Sequence, residues 1–174
     1  MERNRKDAQE GFVRLALVAP FVEHLRARRI DRAPAFAALG LSESSVANPN
    51  LFVHSEIVYG LLNYLADLSG DRYLGVHVGE AQDFGAWPPY ADALAGAGTL
   101  AEFFAAYIAR VPTEANSVRH SLIIEANRAL YRVERLQDPA VAPVQVTGFG
   151  CAQYLRLLQA VTGPAWDPRH VVFE

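Results

Sequence analysis

Val118-Arg119-His120-Ser121-Leu122-Ile123-Ile124-Glu125-Ala126-Asn127-Arg128-Ala129-Leu130-Tyr131-Arg132-Val133 is where the chain changes its period. Upstream of it, apolar residues recur at steps of three and four. Within it they alternate. Val118, His120, Leu122 and Ile124 fall on one face of a strand, and Ala129, Tyr131 and Val133 on one face of a second. Glu125-Ala126-Asn127-Arg128, between the two, has turn composition. The reading is an antiparallel hairpin over about 117–135.

Everything before the hairpin reads as helical. Phe12, Leu15, Val18, Val22 and Leu25 predict an amphipathic helix over Gly11–Arg29, kinked or divided at Pro20 because proline removes a helix hydrogen bond. A short helix over Pro34–Leu39 stops at Gly40, and Ser42-Glu43-Ser44-Ser45 starts a turn or another short helix. Asn48-Pro49-Asn50 is a loop signal. Ser55 is a candidate cap for a helix through Ser69, closed by Gly70. Arg72–Gly79 is a further helical segment. Gln82–Gly98 is less regular and ends in an alanine-rich helix to Ala95. Thr99 then caps a helix through Arg110. After the hairpin comes a long helix, Val144–Thr162, closed by Gly163-Pro164, and Arg169–Phe173 reads as a last strand.

Helices do not alternate one-for-one with strands, so the expected class is α+β rather than a doubly wound sheet. The expected architecture is a mostly helical single domain, residues 11–174, with a small antiparallel sheet built from the hairpin and the C-terminal strand. Residues 1–10 read as a flexible N-terminus.

Composition narrows the function. A chain of 174 residues with 51% hydrophobic and 20% charged residues has the material for one well-filled core. Its net charge of −3 lacks the basic excess of a stand-alone nucleic-acid binder. The lone Cys151 allows no internal disulfide and fits a reducing compartment. The charged start Met1-Glu2-Arg3-Asn4-Arg5-Lys6-Asp7 is unlike a signal peptide, and the apolar runs fall short of the roughly 18 residues of a membrane span. The expected location is the cytoplasm.

Catalytic and metal motifs fail one by one. His24, His54, His77, His120 and His170 never pair at ligand spacing, so no metal or cofactor is expected. Asp83-Phe84-Gly85 imitates a kinase triplet, but the phosphate loop and catalytic loop are missing, and Lys6 is the only lysine. Gly148-Phe149-Gly150 sits inside a helical pattern, where close helix packing explains it better than a dinucleotide site. No catalytic constellation emerges. What the sequence does offer is aromatic density. Phe84, Trp87, Tyr90, Phe103, Phe104 and Tyr107 form either an ordinary aromatic core or the wall of a small-molecule pocket. In the second case Arg110, Asn116, Arg119 and His120 are the nearest polar groups to orient a ligand.

Several ordered segments resemble one family. Asp71-Arg72-Tyr73-Leu74-Gly75-Val76-His77-Val78-Gly79 with Asp83-Phe84-Gly85 is similar to a signature of the AraC-type arabinose-binding/dimerisation domain. So are Leu39-Gly40-Leu41 with Asn48-Pro49-Asn50, Thr99-Leu100-Ala101-Glu102-Phe103-Phe104, and the closing Gly163-Pro164-Ala165-Trp166-Asp167-Pro168-Arg169-His170-Val171-Val172-Phe173. The resemblance implies a non-catalytic domain that binds a small-molecule effector, forms a homodimer, and reaches DNA only through a C-terminal helix-turn-helix domain missing from this chain. The chain's ending within a strand-like segment is expected to be a boundary between modules. Arabinose itself is not implied, and Ala86-Trp87-Pro88-Pro89-Tyr90 departs from the family pattern.

A dimer has its own candidate surface. Val144–Thr162 carries Phe149, Tyr154, Leu155, Leu157, Leu158 and Val161, more apolar surface than one face needs. A symmetric partner helix against Phe149, Tyr154, Leu155 and Leu158 is one use of the surplus; burial of both faces within the monomer is the other. Two further functional readings stay open: a haem or other prosthetic-group sensor, and a small enzyme of unknown reaction.

Overall fold

A computed structural model describes residues 11–83 and 88–172. The first ordered element is strand β1, Phe12–Arg14, which pairs antiparallel with β2, Phe52–His54, placing Val13 opposite Val53. The other edge of β1 is held by a segment a hundred residues away: Arg14 N donates to Glu114 O (2.8 Å) and Asn116 N to Phe12 O (2.9 Å).

The helix expected over Gly11–Arg29 is thus three elements. After β1, a 3-10 turn over Leu15–Val18 leads into helix α1, Ala19–Ala27. Pro20 begins that helix instead of kinking it, because the first turn has no N–H partner to lose. The apolar spacing misleads for a simple reason: Leu15 and Val18, three apart, also share a face in a 3-10 turn. Both are buried.

Helix α2 (Ala33–Ala38), a 3-10 turn (Glu43–Ala47) and α3 (Ser55–Ser69) follow. The cap of α3 is His54, whose Nδ1 accepts from Glu56 N (3.3 Å), and Ser55 is the first helical residue. Gly70 closes the helix in the left-handed region, φ +67°, as a C-terminal glycine should. Helices α4 (Leu74–Ala81), α5 (Pro88–Ala95) and α6 (Leu100–Arg110) come next. Thr99 and Glu102 form a reciprocal capping box at the start of α6.

Strands β3 (Val118–Glu125) and β4 (Arg128–Arg135) form the hairpin, in a register that sets His120 opposite Val133 and Leu122 opposite Tyr131. Val118, His120 and Leu122 are partly covered by the helices. Ile124, expected on the same buried face, is 63% exposed, because the tip of the hairpin extends past them. Helix α7, Val144–Thr162, completes a mostly helical α+β domain.

Among the described residues the expected C-terminal strand does not form. Arg169–Val172 have no ladder partner and no regular structure, and Val171 and Val172 are 58% and 76% exposed. A short β-prone run makes a strand only where an edge is available to pair with it. Phe173 and Glu174, and the flexible segment expected at residues 1–10, lie outside the described residues.

Two cores organise these elements. The first gathers Leu15, Phe21, Leu25, Phe36, Leu61, Leu65, Leu74 and Val78 from the N-terminal helices. The second gathers Tyr90, Phe103, Phe104, Tyr107, Val111 and Leu157. Helix α7 serves both, with Val146 and Phe149 against the first and Tyr154, Leu157 and Leu158 against the second. It crosses α4 closely enough that a Cβ on Gly79 would lie 2.6 Å from Phe149 O. Gly148 faces Val76 across the same crossing and so serves helix packing, whereas a Cβ on Gly150 would meet only Tyr154 of its own helix, at 3.6 Å.

Candidate functional site

The second core is unusual in what it buries. Tyr90, Tyr107 and Phe103 pack ring on ring, with centroids 4.6 Å apart for Tyr90–Tyr107 and 5.9 Å for Phe103–Tyr107. Tyr131 from β4 sits between Phe104 (4.6 Å, tilted) and Tyr154 of α7 (4.9 Å, edge-on). The polar ends of these rings meet. Tyr131 Oη lies 2.5 Å from His120 Nδ1, Tyr154 Oη lies 3.5 Å from the same nitrogen, and Tyr107 Oη is 3.4 Å from Tyr154 Oη.

Burial decides the charge state of this network. It pushes His120 down to about 4 and raises the hydroxyls of Tyr90, Tyr107, Tyr131 and Tyr154 above the ordinary phenol range. At neutral pH the cluster is therefore an imidazole and four phenols, all uncharged. Such a group can exchange hydrogen bonds but offers neither a base poised near 7 nor a nucleophile.

The residues singled out in the sequence separate in space. Tyr90, Phe103, Tyr107 and His120 do come together here. Arg110 does not join them: it is exposed, and its Nη1 donates to Asp92 Oδ2 at 2.6 Å. Asn116 is committed to the edge of β1, where its Oδ1 accepts from Phe12 N (2.7 Å). Arg119 lies on the exposed face of β3. Phe84 and Trp87 fall outside the described residues.

A separate cleft of about 700 Å³ opens beside α1 and the end of α4, with Leu17, Pro20, His24, Val78 and Asp83 in its walls. None of the candidate ligand residues among the described ones lines it. The segments that form it are far apart in the sequence, so no local motif announces it. Among the described residues no group of three histidine, cysteine or carboxylate side chains is placed to hold a metal ion. No described helix is long and apolar enough to cross a membrane.

Residues 30–174 match the family model of the arabinose-binding domain of AraC transcription regulators, N-terminal. The chain belongs to that family. It is a ligand-sensing regulatory domain. No curated protein matches the sequence.

The segments that resemble the arabinose-binding family turn out to be mainly architectural. Asp71 accepts from Tyr73 N (3.0 Å) and lies 2.7 Å from His77 Nδ1, fixing the start of α4. Gly75 and Gly79 let α4 approach α7. Thr99 and Glu102 cap α6. These positions serve the geometry of the fold.

The four residues expected at a dimer surface also divide. Phe149 packs on Phe21 (5.1 Å), Tyr154 belongs to the phenol network and Leu158 packs against the second core. Leu155 is exposed. Tyr131, which sequence reasoning did not connect with a site, was accessible from the ladder register: it and His120 lie on one face of neighbouring strands.

Proposed function

We propose that this domain senses a small-molecule effector and dimerises within a bacterial transcription regulator that works in the cytoplasm. DNA contact belongs to a helix-turn-helix domain elsewhere in the parent polypeptide, in keeping with the net charge of −3 here. The family match over residues 30–174 carries this reading. Tyr90, Phe103, Tyr107 and His120 serve in it as a buried platform that holds the hairpin to α6 and α7, and the effector binds elsewhere. The engagement of Arg110 by Asp92 and of Asn116 by β1 supports that division.

The dimer surface centres on Leu155, with exposed Val161 on the same helix and exposed Ile123 and Leu130 on the outer face of the hairpin. Native mass spectrometry of the purified chain, with a thermal-shift screen against a metabolite library, tests both parts. A dimer that Leu155→Glu converts to monomer, and at least one compound that raises the melting temperature, are the expected results. A monomer at every concentration removes the dimer; a library without a stabilising compound removes the sensing role.

A further inference from the structure

Strand β4 turns Tyr131, Val133 and Arg135 to one face, opposite Leu122, His120 and Val118 of β3. Helix α7 presents Thr147, Cys151 and Tyr154 along one side, at steps of four and three. Two ties fix the alignment of strand and helix. At one end Arg135 Nη2 donates to Thr147 Oγ1 (2.6 Å), and at the other the rings of Tyr131 and Tyr154 lie 4.9 Å apart. Between the ties come Cys151, half-buried, and Val133. Val133 is 42% exposed although its cross-strand partner His120 is covered by the helices. The face is therefore open to solvent at this point.

The polar side chains around the opening are donors. Arg135 makes no ion pair with a described carboxylate, and its Nε is buried with no hydrogen-bond partner. Thr147 Oγ1 accepts from Nη2, which leaves the hydroxyl proton to be donated. Carboxylates on adjoining segments are committed elsewhere. Glu134, on the opposite face of β4, lies 3.5 Å from Arg132 Nη1, and Glu56 accepts from Ala140 N and Val141 N, both at 2.7 Å. Nor does Cys151 supply a counter-charge. Burial raises its thiol, Arg135 opposes that rise only in part, and the group is a neutral thiol at pH 7. A half-buried guanidinium without a counter-charge is costly to keep, and the matching partner is an anion.

We propose that the opening between β4 and α7 binds a small organic carboxylate, its head on Arg135 Nη1 and the Thr147 hydroxyl and its short apolar body along Val133. Neither donor has to give up a bond. Nη1 makes no hydrogen bond to a described residue, and Thr147 has only to turn its proton while still accepting from Nη2. Charge-assisted hydrogen bonds of this kind are among the stronger ones. The site is separate from the cleft beside α1 and goes beyond the sensing role, because its occupancy does not depend on what the cleft binds. A bound carboxylate bridges the hairpin and α7.

A matched series tests it: hexanoate, acetate, hexanol and hexylamine, titrated into the 15N-labelled chain and followed by amide shifts. Hexanoate is expected to give saturable shifts centred on residues 133–136 and 147–151. Hexanol and hexylamine, which lack the anionic head, should bind at least about tenfold more weakly, and so should acetate, which lacks the body. Arg135→Gln should weaken hexanoate by at least about tenfold and Thr147→Val by at least about threefold, in proteins whose spectra otherwise superimpose on that of the parent. Arg132→Gln, on the opposite face of the same strand, should leave hexanoate binding unchanged. No response to hexanoate, equal binding of hexylamine or acetate, full affinity in Arg135→Gln, or an equal loss in Arg132→Gln overturns the proposal. The metabolite screen is a separate readout, so the sensing role stands or falls apart from this site.

Discussion

Replacing Gly75 by alanine should cost more than any other single methyl group added to this domain. Gly75 lies where α4 crosses α7, and a Cβ built there collides with the Gln145 carbonyl, 2.8 Å from its carbon and 2.9 Å from Gln145 Cα. Ordinary contact begins at 3.4 Å, so the helices must part by more than half an ångström. The obstacle is backbone, which has no rotamer by which to move aside. Separation also stretches the buried hydrogen bond from Gly75 N to Gln145 Oε1 (2.8 Å), whose acceptor residue is itself buried. Overpacking of this kind costs about 1–3 kcal/mol, and an orphaned buried N–H adds about 1–3 kcal/mol. The sum, about 4 kcal/mol, is a large share of the roughly 5–15 kcal/mol that holds a domain folded.

Gly60 supplies the control. It too lies inside a helix, α3, but its added Cβ would meet only Leu39 Cδ2, at 3.8 Å. Relief of the glycine penalty then dominates, and Gly60→Ala should stabilise by about 0.5–1 kcal/mol. Urea unfolding followed by circular dichroism at the helix band measures both variants. A Gly75→Ala protein within about 1 kcal/mol of the parent would refute the close-crossing argument. So would equal effects at the two positions.

Three further outcomes are expected. Ala126 occupies the hairpin turn at φ +41°, so Ala126→Gly should raise stability by about 1 kcal/mol in the same urea assay. Thr99→Ala removes the acceptor for Glu102 N (3.2 Å) and should cost about 1 kcal/mol, read as a lower melting temperature. His120 titrates at about 4 when folded against 6.5 as a model group, so the unfolded chain takes up the proton first. The stability from its neutral form is complete above about pH 6.5 and is lost as the pH falls towards 4, by about 3 kcal/mol in all. His120→Gln should remove that extra acid sensitivity; a variant with the parent's pH profile would mean that His120 is not the group responsible.

The parts of the fold legible in the sequence are those whose causes are local. Thr99 with Glu102, Gly70 after α3, and the alternation through Val118–Leu122 each report the geometry of their own segment. Strands β1 and β2 were not legible. Three residues are too few to show a period, and the pairing of Phe12 with His54 and with Asn116 depends on chain that returns from far away. The same reason hid the candidate cleft, whose walls come from the segments around residues 14–24, 78–83 and 114. Aromatic density in the sequence pointed to the second core, and it did find a cluster. What density could not show is that the polar tips in that cluster satisfy one another.

Helix α7 explains why its surplus apolar surface was ambiguous. A helix serving one core needs one stripe, whereas this one turns Val146 and Phe149 to the first core and Tyr154 and Leu157 to the second. Two stripes on one helix read as an excess, and the excess invites a partner that is mostly internal. The arrangement also bears on sensing. An effector must bind two states with different affinity to shift anything. A ligand in the cleft that touches Ala81 touches α4, and through Gly75 and Gly79 that helix meets α7 backbone to backbone, with little soft side chain between them to absorb a displacement. A shift of α7 would then be felt at Leu155, on the proposed dimer surface. Ligand and dimer are coupled in this scheme, so a compound from the metabolite screen that raises the melting temperature should also change the dimer dissociation constant.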